Sequence, residues 1–116
     1  MKKNSIITII TIMTFATFTL YQCTGPQFIL TAPADKELTA AQKRWPDATK
    51  ESLAAGHTIF TTKCTQCHQA KNIPSRSEAE WTKEIAEMAP KAKLTAAETE
   101  TLTRYVYTVR ELYAKK

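Results

Sequence analysis

An all-α fold is what this sequence predicts, and three observations predict it. Two capping boxes, Ser77 with Glu80 and Thr95 with Glu98, each stand just before an apolar stripe at helical spacing. A third run, Leu53, Gly56 and Phe60, has the same spacing. No stretch alternates apolar and polar residues in the manner of a strand, and no internal repeat is present.

Taken in order, residues 1–22 have the pattern of a signal peptide. Lys2 and Lys3 form a basic start, and the apolar stretch from Ile6 to Leu20 is too short to span a bilayer comfortably. Leu20-Tyr21-Gln22-Cys23 resembles a bacterial lipobox, which implies lipidation at Cys23. An uncleaved anchor or a fully released protein are the alternatives, because Gln22 stands where that pattern has a small residue. Residues 23–49, punctuated by Pro26, Pro33 and Pro46, read as a lipid-anchored tether with a loose helical turn or two between Leu38 and Arg44. Trp45 is expected to pack on the edge of the domain.

The folded domain is expected over residues 50–116. Its first helix should run from about residue 50 to 62, capped by Asp47 or Thr49. Asn72 to Arg76 reads as a loop. The helix opened by Ser77 carries Trp81, Ile85 and Met88 on one face and should be closed by Pro90 behind Ala89. The helix opened by Thr95 is the longest, with Leu102, Tyr105, Val106, Val109, Leu112 and Tyr113 on one stripe.

Composition narrows the function. The chain has 116 residues, room for one small domain, and a formal charge of +5. Setting aside Lys2 and Lys3 leaves +3, with no dense basic stripe and few aromatics among the lysines, so nothing supports nucleic-acid binding. No nucleophile arrangement or Gly-rich phosphate loop suggests an enzyme.

The chemistry is concentrated in Cys64-Thr65-Gln66-Cys67-His68. Two cysteines three apart followed at once by histidine is the attachment signature of a c-type haem. On a helical turn, residues three apart lie side by side, so both thiols can reach the vinyl groups along one porphyrin edge. His68 then offers an imidazole nitrogen to the iron. A redox dithiol and a zinc site from His57, Cys64, Cys67 and His68 are the rivals. The first lacks a preceding strand, and the second lacks a separated second ligand pair. Three helices make a thin core, which one covalently held haem would fill, so the haem-free chain is expected to fold poorly.

The stretch from Leu53 to Leu112 resembles the small class I c-type cytochromes, a bundle of about three helices wrapped around covalently bound haem. In that family the first and last helices cross tightly, with a glycine on one and aromatics on the other. Gly56 and Phe60 match the first, and Tyr105 the second. The resemblance also implies that the neighbourhood of Pro74 supplies a carbonyl to the second nitrogen of His68.

The remaining iron position decides between a carrier and a ligand binder. Met88 is the candidate, since Met1 and Met13 lie in the leader. It follows His68 by twenty residues and shares its helix face with Trp81 and Ile85. The bland alternative is a core methionine. His57 reads as an exposed, solvated histidine or one touching a haem propionate, and Lys91 and Lys93 as a solvated charge run. The expectation is a monohaem cytochrome, tethered to a membrane outside the cytoplasm and facing the periplasm or cell surface, that exchanges single electrons with protein redox partners. A haem-based sensor with an open distal site, or the haem subunit of a larger oxidoreductase, would carry the same sequence features.

Overall fold

Residues 32–114 are described by the computed structural model, and all regular structure among them is helical. In chain order the elements are α1 (Asp35–Arg44), α2 (Lys50–Thr62), a 3-10 turn (Ile73–Ser75), α3 (Glu78–Lys91) and α4 (Ala96–Tyr113). The signal-peptide and lipobox expectations, including Cys23, lie outside the described residues.

The other three helices and the 3-10 turn all lean on α4. Its start is fixed as expected: Thr95 Oγ1 accepts from Glu98 N–H at 3.2 Å while Glu98 accepts from Thr95 N–H at 2.9 Å. Leu102, Tyr105, Val106 and Val109 are buried, and so are Tyr107 and Thr108 on the neighbouring faces. Burial on more than one stripe follows from having neighbours on several sides. Leu112 departs from the expected stripe and is 38 % exposed, because Tyr113 instead turns toward α1.

The α2 bounds match the expected 50–62, and Thr49, not Asp47, caps them. Thr49 Oγ1 accepts from Ser52 N–H and Ser52 Oγ returns the contact to Thr49 N–H, both at 3.1 Å. Asp47 pairs with Arg104 at 2.8 Å. Helix α2 crosses α4 at Gly56, where the missing side chain lets the backbone at Thr101 and the body of Tyr105 come close. Phe60 packs on Tyr105 with ring centroids 6.2 Å apart.

In place of the loose helical turn or two expected from Leu38 to Arg44, residues Asp35–Arg44 form a regular helix docked on the bundle. Ala41, Ala48 and Leu53 make a small apolar cluster with Leu38 and Trp45. Tyr113 Oη donates to Glu37 Oε1 at 2.5 Å, and Arg44 spans to Glu78 through two bonds of 3.0 and 2.8 Å. The Arg44 guanidinium also lies 4.9 Å from the ring centroids of both Trp45 and Tyr107.

Helix α3 opens at the Ser77–Glu80 box as expected, but it runs past Pro90 to Lys91. The proline sits in the last turn on an exposed side, where only one helical hydrogen bond is lost. Closure comes two residues later. Leu94 N–H bonds back to the Ala89 carbonyl at 2.9 Å and Lys93 N–H to the Pro90 carbonyl at 3.1 Å, with Lys93 at φ +54°. That is the helix stop usually built on glycine. The expected loop at 72–76 contains the 3-10 turn, whose Ile73 is fully buried.

Candidate functional site

Helices α2 and α3 both rest on α4 but their backbones do not approach each other. Between them lies a narrow cleft of about 30 Å³ that opens to solvent. Phe60, Cys64, His68, Ala70 and Lys71 line it from α2 and the segment after it, Trp81, Glu84, Ile85 and Met88 from α3, and Leu102 and Val106 from α4. Phe60 and Trp81 meet edge-on across it with centroids 6.0 Å apart. Trp81 is held by its indole N–H, which donates to the Ile73 carbonyl at 2.9 Å. This bond ties the 3-10 turn to the α3 wall.

Three residues singled out in the sequence, Cys64, His68 and Met88, therefore open onto one apolar space. Cys67 is exposed and is not on the cleft wall. The reason is local. Helix α2 ends at Thr62, so both cysteines stand on turn and bend backbone instead of the helical turn expected for them. Thr58, Thr61, Thr62 and Thr65 each return a hydroxyl to the carbonyl four residues back, at 2.9, 2.9, 2.6 and 2.6 Å. β-Branched residues that compete in this way weaken a helix end.

Burial pushes the Cys64 thiol up from its ordinary pKa, and the nearby Glu84 carboxylate pushes it further. A nucleophilic redox dithiol needs the opposite shift. His68 is exposed at the cleft margin, and its Nδ1 lies 2.9 Å from the Gln69 carbonyl. With the proton on Nδ1, Nε2 is left as the acceptor and metal-binding atom. The carbonyl expected from the neighbourhood of Pro74 is not what His68 uses here. Ile73 O, the carbonyl just before that proline, is engaged by Trp81.

His57 lies on α2 outside the cleft and packs edge-on to Tyr105 at 5.6 Å. Lys91 pairs with Glu87 at 3.0 Å, and Lys93 is exposed. Among the described residues, no three His, Cys, Asp or Glu side chains converge as a metal-binding group, so His57, Cys64, Cys67 and His68 do not form a zinc-type cluster. An imidazole and a thioether opening onto an apolar cleft are a donor set of another kind. Cys64 adds a thiol at the same wall.

Sequence reasoning passed over Glu84 and Lys71, which line the cleft and pair with each other. The spacing held the signal: Glu84 is three residues after Trp81 and four before Met88, on the same side of α3. Among the described residues no helix is long and apolar enough to cross a membrane. No known protein family, curated protein or solved structure matches the chain.

Proposed function

We propose that this chain is a monohaem c-type cytochrome that carries single electrons outside the cytoplasm, held to a membrane through a lipid on Cys23. The observation that carries the proposal is that Cys64, His68 and Met88, twenty-four residues apart at the extremes, line one apolar cleft. The bound haem would supply a one-electron iron couple, with the thioether ligand and burial favouring the ferrous form.

The protein's own groups have separable tasks. Cys64 and Cys67 provide the thiols for attachment. Cys67 would have to turn inward to do so, and it stands on bend backbone that no helix holds. His68, whose Nδ1 lies 2.9 Å from the Gln69 carbonyl, would hold the iron through Nε2. Met88 offers its sulfur from α3. Phe60, Trp81, Ile85 and Val106 keep water out of the cleft, which limits the rearrangement that accompanies electron transfer. The role that follows from these tasks is that of a carrier whose partners are redox proteins.

The test is haem retention. Exported protein is extracted with acid–acetone, and the haem should stay on the polypeptide in a one-to-one ratio. Cys64→Ala with Cys67→Ala should abolish this and leave the chain degraded. A wild-type protein that releases its haem, or never contains any, sinks the proposal.

A further inference from the structure

The segment that follows the attachment motif is fastened to α3 at two places, by the Trp81–Ile73 bond and by the Glu84 carboxylate. Glu84 lies on α3 one helical turn before Met88, lines the cleft, and has only 16 % of its side chain exposed. Its two oxygens are used separately. Oε1 accepts from Lys71 Nζ, three residues after His68, and Oε2 faces Arg76 Nη1 at 3.5 Å. Arg76 is itself tied to α4, because its carbonyl accepts from Arg110 Nε at 2.9 Å. Alongside the Trp81–Ile73 bond, this side chain joins the strip of chain bearing His68, the helix bearing Met88 and, through Arg76, helix α4.

We propose that Glu84 is a positioning residue, the clamp that holds the His68 segment closed against the Met88 helix and so keeps both ligands on the metal; this rests on the haem assignment above. A half-buried carboxylate with two cationic partners is well suited to the task. Charge-assisted bonds are stronger than neutral ones, and partial burial limits screening by salt. Without the charge, Lys71 and Arg76 have better partners in water, and the strip, left to the Trp81–Ile73 bond, lifts more readily.

Exported, haem-loaded protein is compared as wild type, Glu84→Gln and Glu78→Gln. The last breaks the exposed Arg44–Glu78 pair on the same helix, away from the cleft. Two rates are read: uptake of carbon monoxide by the reduced protein, which requires Met88 to leave, and tryptic cleavage after Lys71 and Arg76, which requires the strip to lift. Glu84→Gln should speed both roughly tenfold, the weight of about one charge-assisted bond. Glu78→Gln should leave both within about twofold, as expected for an exposed pair. Lys71→Gln combined with Arg76→Gln unhooks the same carboxylate from the other side. It should reproduce the faster carbon monoxide uptake even if Glu84→Gln does not accumulate. Unchanged rates in the Glu84 variant, or equal acceleration in Glu78→Gln, overturn the clamp. A wild-type protein without covalent haem would instead defeat the functional assignment alone, and the tryptic rate would then decide the clamp by itself.

Discussion

Gly56 lies so close beneath Tyr105 that a Cβ built on it would stand 2.5 Å from the Tyr105 Cβ and 2.7 Å from the Thr101 carbonyl oxygen. Neither obstacle is the free end of a flexible side chain, so the helices must move apart to admit a methyl group. Gly56→Ala should therefore destabilise the protein by about 3 kcal/mol, the upper end for overpacking, despite the better helix propensity of alanine. Denaturant unfolding of the two proteins measures this. A variant as stable as wild type would mean that α2 and α4 do not cross as tightly as described.

Lys93 offers a change of opposite sign. It occupies a left-handed backbone conformation, φ +54°, at the stop signal of α3. A side chain there costs about 1 kcal/mol, which glycine does not incur. Lys93→Gly should raise stability by about that amount, partly offset by the greater freedom of the unfolded chain. The same unfolding experiment reads it, and a loss of stability would contradict the hydrogen-bonding pattern at Ala89 and Pro90.

Met88 separates a carrier from a sensor. In the wild-type ferric protein, thioether ligation should give the weak long-wavelength absorption band of a sulfur–iron bond, and the reduced protein should resist carbon monoxide. Met88→Ala should lose the band and take up carbon monoxide readily. It should also cost about 2 kcal/mol of stability, the low end for such a truncation because Met88 is only partly buried. If wild type takes up carbon monoxide as fast as the variant, the distal position is open and the protein is a ligand binder.

Glu37 gives the docking of α1 a pH signature. Burial alone would push its carboxyl up. The hydrogen bonds from Tyr113 Oη and the Ala34 N–H, together with the Lys36 charge, outweigh burial and hold it below the usual glutamate value. A lowered folded-state pKa means that the stabilisation is complete above the unfolded value of about 4.3 and disappears as pH falls through the folded one. Wild type should thus exceed Glu37→Gln in stability at neutral pH, with the difference shrinking only below about pH 4. A difference that grows in acid would reverse the sign of the argument.

How much of this was legible in the sequence depended on whether the information was local. Ser77 with Glu80 and Thr95 with Glu98 declared their helices because a capping box needs only four consecutive residues. The Thr49–Ser52 box was less visible, since serine replaces the usual Glu or Gln in the reciprocal position. Helix α1 was read as tether because its buried residues are Glu37, Ala40 and Ala41, which leave little hydrophobic periodicity. What holds it in place, Glu37 on Tyr113 and Arg44 on Glu78, are pairings across the chain that no local window contains. Within the site, Met88 was found by elimination and periodicity. Cys67 facing outward was not foreseen, because the turn and bend backbone that follows Thr62 carries it away from the cleft wall.

The bond between Glu37 and Tyr113 joins positions 76 residues apart, and this has a consequence for the order of events as the chain is made. Synthesis delivers the N-terminal part first, and α1 emerges long before the helix against which it docks. Until α4 is complete, Glu37 has no tyrosine to bind, and α1 has only the small cluster of Ala41 with Ala48 and Leu53 to rest on. Closure of the first helix is therefore a late step that reports the arrival of the last. A chain shortened just ahead of Tyr113 would keep its α2–α4 crossing at Gly56 yet leave its opening helix unlatched, an incomplete product that proteases can recognise by its loose front end.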